Sequence, residues 1–279
     1  MALSVSQTLM QGLGALRFQP TAKRIRALRG GAVVADSTRA ALVWEPRRVV
    51  PVYAVPAADI AGAMSPSTAG GAATEAPVHL GEDSGPVLDP STGFGFHTCP
   101  GRALTVETGD GALDGVAFRP DDPEFAGLVL LDFEAFDWLE EDEPILGHPR
   151  DPFHRVDVRR SSRHVRLELD GLLLAESDRS SMLFETNLPL TRFYLPREDV
   201  RVALTSTATR TRCAYKGVAS YFTVEQAGER GIDMAWSYES PLPDCPQIAG
   251  LVAFYQERLD VIVDGVPDSR PRTPWSPPA

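Results

Sequence analysis

Around residues 164–174 the chain alternates. Val165, Leu167 and Leu169 are apolar and His164, Arg166 and Glu168 are polar. A period of two marks a strand with one buried face. Asp170-Gly171 then supplies the two residues of a tight hairpin, and Leu172-Leu173-Leu174 returns as the partner strand. Residues 220–224 are aromatic and β-branched and predict a further strand. Met234, Trp236 and Tyr238 alternate with smaller residues and are expected to share one face of another. Residues 251–255 and 259–263 complete the set. A helical stripe appears only weakly, at Leu9, Leu13 and Leu16, and residues 1–20 read as a loosely held terminus. Pro196-Arg197-Glu198-Asp199 suits one short helical turn. Many short strands between turn residues predict an all-β architecture, a sandwich or partly open barrel.

The pattern is written twice. Gly31 to Arg39 aligns with Gly171 to Arg179, and the offset of 140 holds from Trp44-Glu45 against Phe184-Glu185 to Asp59-Ile60 against Asp199-Val200. With other offsets the match resumes at Cys99 against Cys213 and at Gly127 against Gly250. Two homologous β domains are therefore expected, at 21–143 and 160–265, joined by an interdomain segment at 144–159. The first contains a stretch near 61–96 rich in Ala, Gly, Ser, Thr, Pro and Asp, which buries too little apolar surface to offset ordering and reads as a mobile loop. Residues 266–279 form a Pro-rich tail. Around the joint, residues 132–143 are acidic and 155–166 basic: two solvated faces, or an attraction that sets how the domains sit.

Composition narrows the function. The 279 residues are 43% hydrophobic and 23% charged, ordinary for a globular protein. A formal net charge of -11 argues against a nucleic-acid partner, whose phosphates call for basic residues, and against an anionic membrane. No apolar run reaches transmembrane length, and residues 1–10 do not resemble a secretory leader. Cys99, Cys213 and Cys245 form no C-x-x-C pair, so neither a disulfide framework nor a structural zinc site is expected. A soluble cytoplasmic protein without cofactor or metal is the simplest reading.

Residues retained in both copies, among them Ser37/Ser177, Arg39/Arg179, Glu45/Glu185, Asp59/Asp199 and Glu134/Glu257, report a shared fold first. The second copy alone carries Tyr215-Lys216-Gly217, Tyr221 and Trp236-Ser237-Tyr238, so a site is expected there. Lys216 could sit at a β-bulge made by Gly217 and reach a cleft, as an anion-binding amine or a nucleophile, or could be an exposed turn lysine. Cys213 is a second candidate nucleophile, or a small core thiol. Tyr194, Tyr221, Trp236 and Tyr238 could line an aromatic pocket, or fill a core. Glu185 and Arg192 could orient a polar ligand, or pair internally. His148 or His154 could carry a proton. Asp132 and Glu134 are the acidic pair at strand spacing that could hold a divalent metal, but the second copy has lost it.

The ordered set Ala175-Glu176-Ser177, Phe184-Glu185, Pro196 to Val200, Cys213 to Tyr221, Ala235 to Pro241 and Ile248 to Tyr255 resembles the bacterial domain of unknown function 427 family. The resemblance spans nearly all of the second copy and, more weakly, the first. It implies a β-tent: two small antiparallel sheets pinned at one end and open at the other. Related tents hold zinc on cysteine pairs that this chain lacks. The family also appears under a nucleotidyltransferase heading. The reading is a tandem β-tent protein that binds a small polar or aromatic ligand in its second domain. The alternatives are a hydrolase- or transferase-like enzyme using Cys213 or Lys216, and a protein-interaction module.

Overall fold

In a computed structural model the chain is mainly β and divides into two compact units, Met1–Val78 with Pro86–Asp151, and His79–Gly85 with Pro152–Ala279. The structure describes residues 2, 5, 8, 11–68, 78–79, 86–88, 90–186, 188, 190–270, 273 and 275–276.

The first unit contains β1 (Arg17–Pro20), β2 (Ile25–Arg29), β3 (Ala32–Ser37), β4 (Ala41–Trp44), β5 (Val52–Pro56) and β6 (Met64–Pro66). A short pair follows, β7 (Val78–His79) and β8 (Pro86–Val87). Then come β9 (Gly101–Thr108), β10 (Gly111–Pro120), β11 (Leu128–Leu131), β12 (Asp137–Glu140) and β13 (Glu143–Pro144). One seven-stranded antiparallel sheet runs β1-β4-β5-β11-β10-β9-β6, and a four-stranded sheet runs β13-β12-β2-β3. The apolar faces of both supply the core, which includes Ile25, Ala27, Val34, Trp44, Val55, Val129 and Trp138.

The second unit contains β14 (Val156–Arg160), β15 (Val165–Leu169), β16 (Leu172–Ser177), β17 (Ser181–Glu185), β18 (Arg192–Leu195) and β19 (Leu204–Cys213). It continues with β20 (Gly217–Val224), β21 (Ala235–Ser237), β22 (Val252–Phe254), β23 (Asp260–Val263) and β24 (Val266–Pro267). Its sheets run β14-β17-β18-β22-β21-β20-β19 and β16-β15-β23-β24, the same order strand for strand. The likeness extends to detail. Both first hairpins turn through two positive-φ residues, Gly30-Gly31 and Asp170-Gly171, the geometry that matches the strands' twist. Both carry a register shift beyond the turn, at Ala27/Leu28 and at Leu167/Glu168. Val165, Leu167 and Leu169 are buried as their alternation predicts, in a core with Phe193, Phe222 and Phe254. Each large side chain fully buried there is worth about 1.5–3 kcal/mol.

A polar knot closes both units alike. Ser37 Oγ donates to Asp59 Oδ2 (2.6 Å), and Arg39 adds its backbone N–H to Ser37 and its guanidinium to Asp59. Ser177, Asp199 and Arg179 repeat every one of these bonds. The retained residues at these positions are fold determinants.

Several expectations are corrected. A strand begins at Arg17, because the segment pairs with β4 along its whole length. Val156–Arg160 is the edge strand β14, so the second sheet starts inside the stretch read as an interdomain segment. Within 61–96, Met64–Pro66 pairs with β9, while residues 69–77, 80–85 and 89 lie outside the described residues. Met234 does not share a face with Trp236 and Tyr238. It lies in a turn before β21, its N–H donating to Gly231 O (3.3 Å), and it packs into the inter-sheet core. Asp132 and Glu134 are not on a strand: Asp132 caps a 3-10 turn, Phe133–Ala135, by accepting from the Glu134 N–H (3.0 Å). Among the described residues no three His, Cys, Asp or Glu side chains gather to hold a metal, and no helix is long and apolar enough to cross a membrane. The charged blocks find partners within their own units: Lys23 and Arg26 take Glu140 and Asp142, the Arg24 backbone N–H donates to Glu141, and Arg163 takes Asp264.

Candidate functional site

The candidate residues of the second unit lie on the face of the large sheet turned away from its four-stranded partner. Strand register lays a row across it. Ser181 pairs with Tyr194, Tyr194 with Ala253, Ala253 with Trp236, and Trp236 with Tyr221. Ala253 separates the Tyr194 and Trp236 rings, and Tyr194, Ala253, Trp236 and Tyr221, with Tyr238, form a second buried cluster around Ile248 and Cys245. Trp236 Nε1 donates to Tyr194 OH (3.4 Å), and the hydroxyls of Thr211, Tyr221 and Tyr255 form a chain at 3.1 and 3.2 Å. Burial pushes the Tyr194 phenol up to about 12, despite the cations of Lys216 and Arg192, and raises Tyr238 well above its ordinary value. Both are neutral phenols at neutral pH.

At one end of this face sits a charged cluster. Cys213 pairs with Gly217 and closes β19 onto β20, leaving Ala214, Tyr215 and Lys216 as the turn. Gly217 has φ +98°, a left-handed conformation that strains any residue with a side chain, although an added Cβ would meet Ser240 O only at an ordinary contact distance of 3.4 Å. The turn, not a bulge, therefore aims Lys216; the register shift of this hairpin lies at Ser206/Arg210. Lys216 Nζ donates to Glu185 Oε2 (2.6 Å) at the end of β17. His154 reaches the other oxygen: bonds between Arg155 and Thr186 extend the β14–β17 ladder and set its Nε2 3.0 Å from Glu185 Oε1. The imidazole stacks on Tyr215 at 4.3 Å.

The electrostatics follow from that geometry. Burial alone would raise the Glu185 carboxyl, but the Lys216 charge and the hydrogen bonds from His154 and Lys216 outweigh it and bring it down to about 2. Burial would lower the Lys216 amine; Glu185 and, less strongly, Cys213 and Tyr194 hold it well above the ordinary lysine value. The pair is thus an ammonium and a carboxylate, each side chain 12% exposed. Both Glu185 oxygens are engaged. Among the described residues Glu185 is the one hydrogen-bond acceptor for Lys216, so two of the three ammonium donors stay available. Cys213 is a free, partly exposed thiol. Cys245 is wholly buried, and burial pushes its thiol up to about 11.

Arg192 lies elsewhere. Its guanidinium makes a bidentate pair with Glu257 at 2.8 and 2.9 Å, donates to Phe254 O (3.0 Å), and rides over the Trp236 ring at 5.1 Å. Thr273 Oγ1 adds a bond to Glu257 (2.9 Å). Arg192 and Glu185, neighbours in sequence, therefore serve different partners. Sequence reasoning singled out Tyr215 without giving it a role, and missed Tyr255 and the role of Glu257; the recurrence of Glu at 134 and 257 was the one available signal for the last.

The first unit treats the same face differently. Its row runs Ala41–Ala54–Leu130–Phe118–Ala103. Ala103 thus stands level with Tyr221, and four residues back Cys99 stands level with Gly217, not with Cys213: the sequence match at the cysteines is out of register with the sheets. Glu45, level with Glu185, is again buried and again meets a histidine, His97 Nδ1 at 3.0 Å, but takes the Thr98 N–H (2.7 Å) and the Cys99 thiol (3.6 Å) in place of a lysine. Burial and Glu45 push that thiol up to about 12. His97 stacks on Phe118 at 3.6 Å.

Residues 157–265 match the model of the family described as Domain of unknown function (DUF427). The second unit is a DUF427 domain. The matched span runs from within β14 to just past β23 and includes Glu185, Lys216 and the aromatic row; His154 lies just before it. No curated protein matches the chain.

Proposed function

We propose that the DUF427 unit binds a small molecule whose acceptor atoms, in a carboxylate, phosphate or carbonyl, engage Lys216, at the end of the buried cluster of Tyr194, Tyr221, Trp236 and Tyr238, which backs the site from within. The observation that carries this reading is the Lys216 ammonium: mostly buried, held by Glu185, and with two donors unspent. Nearly buried ammonium groups gain from further acceptors. Lys216 is an anchor in this reading and not a nucleophile, because Glu185 keeps the amine charged. Arg192 supports the aromatic wall and does not touch the ligand. Cys213, partly exposed in the same hairpin end, supports a covalent second reading in which its sulfur adds to the acyl carbon of an ester-like ligand anchored at Lys216, forming a thioester while the ligand's alcohol leaves with the thiol proton. The two units are read as copies of one fold, the first without the lysine. Three free cysteines support a reducing, cytoplasmic setting, and the net charge of -11 supports partners other than nucleic acid or anionic membrane.

The test is thermal stabilisation of the full chain by nucleotides, sugar phosphates and dicarboxylates. A ligand at 100 times its Kd adds about 2.7 kcal/mol, a rise of several degrees. The double variant Glu185→Gln/Lys216→Met, which removes both buried charges together, should fold and lose the rise. A panel that leaves the wild type unmoved would sink the proposal.

A further inference from the structure

We propose that the first unit holds a separate site, a groove on β6, β9 and β10 that takes a small molecule with an oxyanion head and an apolar tail. The groove has a volume of about 480 Å³ and is lined by Met64, Pro66, Leu104, Ser67, Arg102 and Arg119. Its basic wall comes from register. Arg102 and Arg119 are directly opposed across β9 and β10, so both side chains leave the same face a few ångströms apart. Like charges so placed repel. Among the described residues neither guanidinium has a carboxylate within hydrogen-bond reach. Arg119 Nε is buried without a hydrogen-bond partner among the described residues. Arg102 faces Asp121 at 3.8 Å, beyond hydrogen-bond reach, with both side chains exposed. Two guanidinium forks that converge without an acceptor match the geometry of a carboxylate or phosphate, which would turn the repulsion into binding.

The floor is apolar. Two residues inward on β9 and β10 stand Leu104 and Ala117, which are buried in the inter-sheet core, and Met64 packs against that core from the edge strand. A ligand whose head meets the arginines would lay its tail over Met64, Pro66 and Leu104. The fold does not require this charge. Counting from the aligned rows, the positions of Arg102 and Arg119 in the second unit are Ser220 and Ser237, which oppose each other in the same way. There the pair is small and neutral. The site is therefore specific to the first unit and independent of Lys216.

Titration calorimetry of the full chain with hexyl phosphate, hexanoate and inorganic phosphate tests the assignment. Saturable one-to-one binding of hexyl phosphate or hexanoate is expected, at least tenfold tighter than inorganic phosphate, whichever head is preferred. Arg102→Gln/Arg119→Gln should weaken it at least tenfold while leaving Tm unchanged or higher, since it removes a repelling pair. Arg119→Lys, which keeps the charge but not the fork, should fall between. Absence of saturable binding by all three probes, unchanged affinity in the double variant, or a double variant with lowered Tm would overturn the proposal. Inorganic phosphate binding as tightly as hexyl phosphate would overturn the apolar half of it.

Discussion

The two units share strand order, hairpin turns, register shifts and the Ser–Asp–Arg knot, yet the outer face of the large sheet holds different chemistry in each. In the first unit, a row of Ala, Ala, Leu, Phe and Ala leaves a buried glutamate satisfied by a histidine, a backbone N–H and a thiol. In the second, Ser, Tyr, Ala, Trp and Tyr accompany a glutamate bound by a histidine and a lysine with donors to spare. The inter-sheet faces are apolar in both units, since each must fill the gap between its two sheets. The outer faces are bound only by what covers them, and there the units differ.

The largest expected effect concerns a pair that one unit has and the other lacks. Arg192 and Glu257 stand level with Val52 and the exposed Glu134. Arg192→Ala strands the Glu257 carboxylate, whose side chain is fully buried, and should destabilise the second unit by about 3–5 kcal/mol in urea unfolding. Arg192→Val with Glu257→Leu, closer to the first unit's apolar solution, should recover most of it. A loss below about 1 kcal/mol for the single change would mean that the pair is not a defining difference.

The pH dependence of stability comes next. The Glu185 carboxyl is depressed in the folded state, so its contribution is present above the unfolded carboxylate value and is lost as pH falls toward about 2. That contribution is on the order of 3 kcal/mol at neutral pH. Unfolding measured between pH 7 and 2 should show Glu185→Gln with a shallower loss of stability below pH 4.5 than the wild type. The Lys216 amine is raised, so its contribution is present below the unfolded lysine value and persists through any ordinary alkaline range. An unchanged acid limb in the variant would contradict the charged pair.

A smaller effect probes what the units share. Asp59→Asn and Asp199→Asn should each cost about 1–2 kcal/mol, equal within about 0.5 kcal/mol, because both aspartates hold the same serine and arginine. Unequal losses would show that the knots are alike in geometry alone. Smallest is Gly217→Ala, at about 1 kcal/mol. The added methyl meets Ser240 O at ordinary contact distance, and the positive φ supplies the strain. A neutral outcome would release Gly217 from its role in aiming Lys216.

The local grammar of this protein is written in its residues. Alternation marks β15, Asp170-Gly171 turns the hairpin, and recurrence at an offset of 140 matches strands that the fold then places identically. These signals act over a few residues, and one buried face is enough to enforce them. Partnership across the sheet is another matter. Glu185 meets His154 and Lys216, each 31 residues away, and Arg192 finds Glu257 at a distance of 65. Met234 leaves the face its spacing suggests because a turn reverses the chain just before β21. Register between strands from distant parts of the chain depends on every loop between them, so a period of two states which face a side chain takes and leaves open which charge it will meet there.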